Sequence, residues 1–553
     1  MNELLKENRV KKRASLFFTI ICLSAVFAHD ASAEVRLPAI ISDNMVLQQG
    51  MKLPIWGWAN PGETVTVTIG SQKKHANADA KGQWRVVLDS FVSCGTHTMT
   101  VSGDNTLTVR NILVGEVWVC SGQSNMDFSL NGVRNAKEEM AEANDPEIRL
   151  FQVEHKVAKT LLSDCQGRWE ICTPASVAHF SAVGYLFGRD LHIARNMPVG
   201  LIQTSYGGST IEAWMRREVL EADSANKPLL EYWQNLLFRW AATEQQAAYE
   251  KTLAQWTSQA EEAKKYGKQA PPRPAQPSES VHQPCVLYNA MVAPLLQYGI
   301  KGVVWYQGEA NTSGLRNFSD WYKDKSSTDV AHADRYQDLL TVLIDNWRKD
   351  WGEGDFTFLI VQLPNCGQPA QAKTPRDSNW GRLREAQLRT ALSVPKTGIV
   401  FTVDTDFPPG DPDTGHPRHK QHVGQRLVLA ARAIAYGEKI ECFGPIYDSM
   451  RIEGSKIRLK FKHADSGLVA KGGTLKWFTV ASQDQKFFWA DAIIDGETVV
   501  VSSASILEPV AVRYAWDIDP TGCNLYGKNG LPASPFRTDQ WPLTDKDVEA
   551  GNF

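Results

Sequence analysis

The sequence lacks the features that mark several large classes of protein. Beyond the first 33 residues, no apolar stretch is long enough to span a bilayer, so no integral membrane segment is expected. Lys and Arg number 59 against 62 Asp and Glu, which leaves no basic footprint for nucleic acid. There is no internal repeat and no long low-complexity run. With 43% hydrophobic and 22% charged residues, the 553-residue composition is that of a globular protein large enough for several domains.

Cysteines are few and scattered. None are spaced as C-x-x-C, and no Cys/His cluster has the spacing of a structural zinc site, so neither a metal nor another cofactor is predicted. Cys165 and Cys172 are the best candidates for a local disulfide because they lie close together in the chain. The alternative is that both are buried free thiols.

The N-terminal residues have the pattern of a secretory signal. Basic residues between positions 6 and 13 precede an apolar stretch, Leu16 to Ala28, and Ala31-Ser32-Ala33 fits a cleavage site. We therefore expect residues 1–33 to be a signal peptide cleaved near Ala33, and the mature protein to be secreted or periplasmic.

The remaining chain divides by pattern into three parts. Residues 34–113 alternate with period two between turn residues, as in Thr64 to Ile69, which predicts a small β-sandwich-like domain. Residues 114–437 alternate apolar strands with amphipathic helices, which predicts an α/β domain with a parallel sheet covered on both faces. Strands return in residues 438–553, a C-terminal β module.

An insertion interrupts the α/β pattern at residues 222–284. Its first part is rich in Ala, Gln, Glu and Lys and predicts a helical hairpin, and its end is a Pro- and Ser-rich linker. Two interpretations are open: the insertion forms part of the active-site rim, or it is a surface appendage with no role in substrate binding.

The most informative stretch is Gly115 to Phe128, GEVWVCSGQSNMDF. Its apolar run predicts a buried strand, and the small and polar residues after it predict a tight turn at the strand's carboxyl end, where α/β sheets bind ligands. A serine in that turn is placed as a nucleophile requires. Ser124 is preferred to Ser121 because Gly122 lets the chain turn sharply before it. An ordinary strand-exit turn is the alternative.

The GQSNM motif after an apolar strand resembles the first block of the SGNH hydrolases, and more closely the sialate O-acetylesterase family. The other blocks of that family follow in order, and the tail from Val512 to Trp541 also resembles the family's end. The resemblance therefore covers most of the chain. It implies an SGNH-type, flavodoxin-like parallel sheet flanked by helices.

The general base that this chemistry needs is predicted at His416. Asp413-Thr414-Gly415-His416 resembles the last SGNH block, in which the acid orients the imidazole, and Pro417 fits the first position of a final helix. Rival orienting acids are Asp404, Asp406 and Asp411. A metal site formed by His416 with His419 and His422 is the other alternative, but no convincing further ligand accompanies them.

Oxyanion donors are predicted at three places. The backbone N–H groups of Ser124 and Gly208 are two, since the glycines of the Tyr206-Gly207-Gly208 turn allow close approach. A side-chain amide is the third: Gln307 is preferred because W-Y-Q-G-E resembles the acetylesterase pattern, and Asn311 is second. Glu309 either holds this loop by hydrogen bonds or is a second acid.

The sequence thus predicts a cofactor-free serine esterase that removes O-acetyl groups from an acetylated sugar or glycan. Ser124, His416 and Asp413 would be its catalytic residues. The resemblance implies 9-O-acetylated sialic acid as the leading substrate, with acetylxylan or another plant glycan as the alternative. A non-catalytic carbohydrate-binding protein is a hypothesis of another class, and the complete Ser124, Asp413 and His416 set argues against it. The pattern gives no indication of oligomeric state.

Overall fold

The computed structural model describes most of the chain after the predicted signal peptide. Residues 1–33, on which the signal-peptide prediction depends, lie outside it, as do several internal positions and the C-terminal residues. The described residues are 34–91, 95–241, 244–265, 270–271, 273–274, 276–312, 332–367, 375, 377–405, 407, 413 and 415–542.

The described strands are short except for one of 17 residues. They are β1 (Val46–Gln48), β2 (Leu53–Trp58), β3 (Thr64–Ile69), β4 (Gln72–Asn77), β5 (Gln83–Leu88), β6 (His97–Ser102), β7 (Thr106–Gly122), β8 (Asp145–Gln152), β9 (Trp169–Cys172), β10 (Val199–Ser205), β11 (Gly302–Tyr306), β12 (Thr357–Val361), β13 (Thr397–Val400), β14 (Ile446–Glu453), β15 (Lys456–Lys462), β16 (Leu468–Ala470), β17 (Phe478–Ala481), β18 (Phe487–Trp489), β19 (Asp491–Asp495), β20 (Thr498–Ser502), β21 (Ala511–Tyr514), β22 (Leu525–Gly527) and β23 (Phe536–Arg537).

The α-helices concentrate between β7 and β14. They are α1 (Ser124–Asp127), α2 (Ala136–Glu142), α3 (Pro174–Val177), α4 (Ala182–Arg195), α5 (Arg217–Ala222), α6 (Lys227–Ala241), α7 (Glu244–Lys265), α8 (His332–Trp351), α9 (Asn379–Ser393) and α10 (Gln421–Ile434). The predicted alternation of strands and helices is therefore present, and the fold is mixed α/β with additional β modules.

A parallel sheet organises the α/β part, in the order β13-β12-β11-β7-β10-β8, with β9 antiparallel at the edge. β10, β11 and β12 are buried along their whole length, because helices cover both faces of the sheet. β7 lies between β10 and β11, so the chain leaves its carboxyl end and returns on both sides. Such a switch of direction opens a crevice at the carboxyl ends of the strands.

Two helices pack on one face of this sheet. α4 and α10 contribute Val183, Leu186 and Leu427 to a core that also holds Cys120 and Val304 from the sheet. They approach closely at Gly424, where a Cβ atom would lie 2.8 Å from the Leu186 Cβ.

The other face of the sheet is rich in tryptophan. Trp305 of β11 packs edge-on against Trp214 and Trp347, with ring centroids 6.2 and 5.9 Å apart. These tryptophans are fully buried, so they are core residues rather than a surface for stacking on sugar rings.

The described ranges outside the parallel sheet are β-rich at both ends of the chain. A first compact unit is built from the described part of Met1–Leu37, Trp56–Val86 and Thr100–Thr108, and in it β3 and β4 form an antiparallel pair. The second unit comprises Pro38–Ile55, Val87–Met99 and Val109–Phe553. Its C-terminal part contains two antiparallel sheets, β14-β15-β20-β19 and β18-β17-β21-β23.

The structure differs from the sequence predictions in three local features. The strand before Ser124 is the 17-residue β7, which runs through the predicted boundary at residues 113 and 114. Helix α10 begins at Gln421, so Pro417 does not occupy its first turn. Cys165 and Cys172 are both free and buried, which makes the predicted disulfide wrong and the buried-thiol alternative right.

The short turn after Thr210 is held by a distant side chain. Residues Ile211–Trp214 form a 3₁₀ turn and Thr210 does not cap it with its side chain. The backbone N–H of Ile211 instead donates to Asn311 Oδ1 at 3.0 Å. A residue 100 positions away therefore supplies the cap of this turn.

Candidate active site

The turn after β7 is fixed by close contacts with β11. Gly122 has a φ of +138°, and a Cβ atom there would lie 2.1 Å from the Tyr306 carbonyl oxygen, so only glycine fits. The next residue, Gln123, donates its N–H to that same oxygen at 2.9 Å. Ser124 follows as the first residue of α1 and is half-buried. The predicted nucleophile thus lies at the carboxyl end of a central strand.

The exit turn of β10 passes directly beside Ser124. A Cβ atom on Gly207 would lie 3.6 Å from the Ser124 Cβ, whereas one on Gly208 would meet no heavy atom within 4 Å. Gly208 adopts a left-handed φ of +73°. The structure therefore brings the Gly207-Gly208 turn to the nucleophile and leaves open space at Gly208.

His416 and Asp413 form the predicted acid–imidazole pair. His416 Nδ1 lies 3.0 Å from Asp413 Oδ1 and 3.1 Å from Oδ2. Burial on its own would raise the pKa of Asp413, but the N–H of Gly415 and the imidazole of His416 outweigh it and lower that pKa below its usual value. An Nδ1–H held by a carboxylate leaves Nε2 as the acceptor, which is the tautomer a general base requires.

The imidazole also contacts the segment that bears the serine. Its ring stacks on Phe128, the residue directly after α1, with centroids 6.0 Å apart and planes 19° apart. The preceding residue, Gly415, accepts a hydrogen bond from Asn125 Nδ2 at 3.1 Å. Two contacts therefore join the loop of His416 to the helix that begins at Ser124.

Asp404, the described rival of Asp413, has another partner. Its two carboxylate oxygens accept from Arg426 Nη1 and Nη2 at 2.7 and 2.6 Å, and Tyr526 Oη donates to Oδ2 at 2.9 Å. Asp413, by contrast, is within hydrogen-bond distance of His416. Asp406 and Asp411, the other rivals, lie outside the described residues.

The side-chain amides of Gln307 and Asn311, predicted as oxyanion donors, lie next to each other and are both hydrogen-bonded to other protein groups. Gln307 Nε2 lies 2.8 Å from Asn311 Oδ1, 3.0 Å from Ser209 O and 3.1 Å from Gln123 Oε1. Asn311 Nδ2 donates to Glu212 Oε2 at 3.0 Å. Both side chains are fully buried. These bonds hold the exit loops of β7, β10 and β11 together, and the oxyanion role of either amide stays a prediction.

A second histidine lies near the nucleophile and was missed by the sequence reasoning. His155 stacks on Tyr206, with ring centroids 4.2 Å apart, and its Nε2 lies 3.2 Å from Asp127 Oδ1. This hydrogen bond raises the pKa of His155. Asp127 belongs to the helix that begins at Ser124. Tyr206 directly precedes Gly207, the glycine that lies beside Ser124. No sequence motif marks His155, because it is far from both in the chain.

Asn125 and Lys420 were also missed. Asn125 lies inside the recognised motif, so its position next to Ser124 was a signal that could have been used. Lys420 lies in an exposed-looking polar run, Arg418-His419-Lys420, yet only 1% of its surface is exposed. Burial lowers the pKa of its ammonium to about 7.

The end of the insertion returns to the exit loop of β10. Burial raises the pKa of Tyr206, and the carboxylates of Asp127 and Glu279 add to that effect. Glu279 also pairs with Arg273, at 2.6 Å. Glu279 therefore lies within electrostatic reach of this loop, and whether the insertion at residues 222–284 forms part of the active-site rim stays a prediction. The helices α6 and α7 are mostly exposed, apart from a small cluster of Leu229, Trp233 and Leu236.

The described part of the chain contains neither a metal-binding cluster nor a membrane-spanning helix. No group of three or more His, Cys, Asp or Glu residues there is arranged to hold a metal ion. His419 and His422 instead contact each other, with ring centroids 4.2 Å apart. Among the same residues, no helix combines the length and apolarity needed to cross a membrane.

The chain is similar to known carbohydrate esterases over most of its length. Residues 114–268 and 280–433 match a family model described as a carbohydrate esterase, sialic acid-specific acetylesterase. The sialate O-acetylesterase of Homo sapiens is 30% identical over 96% of this chain and 98% of its own length, and that of Mus musculus is 29% identical over 94% and 97%. A carbohydrate acetylesterase from Xanthomonas citri, known from its crystal structure, is 33% identical with a TM-score of 0.74, covering 92% of this chain and 100% of that one.

Proposed function

Because this chain belongs to the carbohydrate esterase family of sialic acid-specific acetylesterases and is a carboxylic ester hydrolase, we propose that it removes O-acetyl groups from sialic acid by a serine mechanism. The observation that carries the mechanism is the His416–Asp413 pair, joined by two contacts to the helix that begins at Ser124. We further propose that the parallel sheet is of the SGNH, flavodoxin-like type, and that the protein is secreted or periplasmic after cleavage near Ala33.

In the first half of the reaction, Ser124 Oγ bonds to the acetyl carbonyl carbon while its proton passes to His416 Nε2. The tetrahedral intermediate then breaks its bond to the sugar oxygen, which takes the proton from the imidazolium. Asp413 accepts the Nδ1–H throughout and stabilises the imidazolium while it exists. The deacetylated sugar leaves, and the acetyl group remains on Ser124.

In the second half, water loses a proton to His416 Nε2 and attacks the acetyl carbon. The bond to Ser124 Oγ breaks, the serine regains the proton, and acetic acid departs as acetate. In both halves the developing oxyanion is stabilised by the backbone N–H groups of Ser124 and Gly208. A contribution from Gln307 Nε2, or else from Asn311 Nδ2, would require that amide to exchange one of its present hydrogen bonds.

A side-by-side assay tests the substrate. Acetate release is measured from 9-O-acetylated sialoside and from acetylxylan at equal ester concentration, with Ser124→Ala as the control for both. We expect the wild-type protein to prefer the sialoside by at least about tenfold in kcat/KM, a margin of about 1.4 kcal/mol. Faster release from acetylxylan would overturn the substrate proposal. Equal, negligible release by wild type and Ser124→Ala, with retained sugar binding, would favour a non-catalytic binding protein.

A further inference from the structure

The side chain of Asn125, the residue after Ser124, is completely buried and uses both ends of its amide. Its Nδ2 donates to Glu309 Oε1 at 2.7 Å and to the Gly415 carbonyl at 3.1 Å. Its Oδ1 accepts from Lys420 Nζ at 2.5 Å. These partners fix which end of the amide is oxygen and which is nitrogen.

Lys420 is an unusual residue for this position. Its ammonium lies between the rings of Phe128 and Tyr306, 5.4 and 5.3 Å from their centroids. Burying an ammonium carries a large desolvation cost, which an apolar side chain of similar length would avoid. Its hydrogen bond to Asn125 and its two aromatic contacts offset part of that cost. A lysine at this position therefore suggests a role beyond filling the core.

Glu309 completes the group and is incompletely satisfied. Only 7% of its surface is exposed, and burial raises the pKa of its carboxyl. Oε1 accepts from Asn125, whereas Oε2 is buried and, among the described residues, has no hydrogen-bond partner. The nearby Lys420 ammonium opposes this rise in the pKa of Glu309. Buried polar atoms left unsatisfied in a native structure are uncommon, so each calls for an explanation.

We propose that Asn125, Glu309 and Lys420 form a positioning network that holds the His416 loop, through the Gly415 carbonyl, at its working distance from Ser124. The inference rests on the proposed serine mechanism and extends it. None of the three side chains has a role in bond making, so they are positioning residues. Lys420 and Glu309 orient the Asn125 amide, and Asn125 in turn anchors the residue next to His416.

The network predicts a specific kinetic signature. Misplacing a catalytic group by about 1 Å can cost about 10²-fold in rate, while binding of a small ester is unaffected. We expect Asn125→Asp, which keeps the side-chain shape and the acceptor for Lys420 but loses both donors, to lower kcat about 10²-fold. Lys420→Met should lower it about tenfold. In both variants KM should stay within about twofold of wild type.

Two comparisons separate positioning from a general loss of structure. Glu309→Gln keeps an acceptor for Asn125 Nδ2 and should retain most of the activity that Glu309→Ala loses. Lys471→Met is the matched control, because Lys471 is an exposed lysine that also lies over an aromatic ring, 4.7 Å from the centroid of Tyr526. It should leave kcat and KM unchanged.

The experiment measures p-nitrophenyl acetate hydrolysis, the rate of Ser124 labelling by a fluorophosphonate, and the urea unfolding midpoint of each full-length variant. Parallel loss of kcat and labelling rate, with KM unchanged, supports the network. The network would be overturned if Asn125→Asp and Lys420→Met each retained more than about half of the wild-type kcat. If one of these variants does not fold, the result for the other decides. An active Ser124→Ala would overturn the serine mechanism and the network together, whereas an inactive Ser124→Ala beside an active Asn125→Asp would overturn the network alone.

Discussion

Two buried cations near the start of helix α10 are held in opposite ways. Arg426 is paired with a carboxylate: its guanidinium donates to both oxygens of Asp404 and to the Phe401 carbonyl, all between 2.6 and 2.7 Å. Lys420 donates to the neutral amide of Asn125 and lies over the rings of Phe128 and Tyr306, and the carboxylates of Glu309 and Asp413 act on it through their charge. A fully paired charge stabilises one local structure, whereas a sparsely paired charge beside the proposed catalytic groups is better explained by function than by stability.

The first way to sharpen this comparison is to remove the nucleophile. Ser124→Ala should lower kcat by about 10⁶-fold, because the acetyl-enzyme can no longer form, with little change in the urea unfolding midpoint. Single-turnover acetate release from an acetylated sugar measures the loss. Retention of more than about a tenth of the wild-type rate would mean that another group attacks the ester.

Removing the base should be nearly as damaging. His416→Ala is expected to lower kcat to about the level of Ser124→Ala, and the double variant should be little worse than either, because the two residues act as one unit. His419→Ala and His422→Ala are the matched controls. They should lower kcat only slightly, because the rings of His419 and His422 contact each other and neither has a proposed role in the reaction. If chelators abolished the activity and zinc restored it, the alternative of a metal site at His416, His419 and His422 would be supported instead.

The ion pair between Arg426 and Asp404 should contribute to the stability of the fold. Asp404→Asn is expected to lower the free energy of unfolding by about 3–5 kcal/mol at pH 7, because it leaves the Arg426 charge buried without its carboxylate. Burial by itself would raise the pKa of Asp404, but Arg426 and Tyr526 lower it below the usual value.

The lowered pKa of Asp404 sets how the stability of the fold depends on pH. A carboxyl whose pKa is lower in the folded state stabilises the fold fully above its unfolded value, about 3.9, and loses this contribution as pH falls through the folded value. Urea unfolding of wild type and Asp404→Asn at pH 7 and at pH 3 should therefore give a smaller difference at pH 3. An equal difference at both pH values would show that the ion pair does not contribute in this way.

The smallest expected effect concerns the buried amides. Gln307→Ala should lower kcat by about 10²–10³-fold with less change in KM if its Nε2 reaches the oxyanion in the transition state. Asn311→Ala is the comparison, since Asn311 caps the 3₁₀ turn at Ile211 and should mainly lower the unfolding midpoint. If Gln307→Ala left kcat unchanged while Asn311→Ala lowered it strongly, Asn311 rather than Gln307 would be the preferred oxyanion donor.

The sequence by itself determined the elements whose signals are local. Apolar runs between amphipathic helices predicted the parallel sheet, and β10, β11 and β12 are buried along their whole length, because fully buried strands are continuously hydrophobic. The D-x-x-H spacing placed Asp413 against His416, since three residues of chain leave few alternative geometries. Ser124 was predicted as the nucleophile from its turn, and a Cβ atom at position 122 of that turn would meet the Tyr306 carbonyl oxygen.

Tertiary structure decided the features that join residues far apart in the chain. Lys420 meets Asn125 across 295 residues, and Asn311 caps Ile211 across 100, so no local periodicity could indicate either contact. The amide of Gln307 was identified as a candidate donor, but only the packed loops of β7, β10 and β11 decide which acceptors it meets. Hydrogen bonds act over about 3 Å in space, whereas sequence patterns record only the neighbours along the chain.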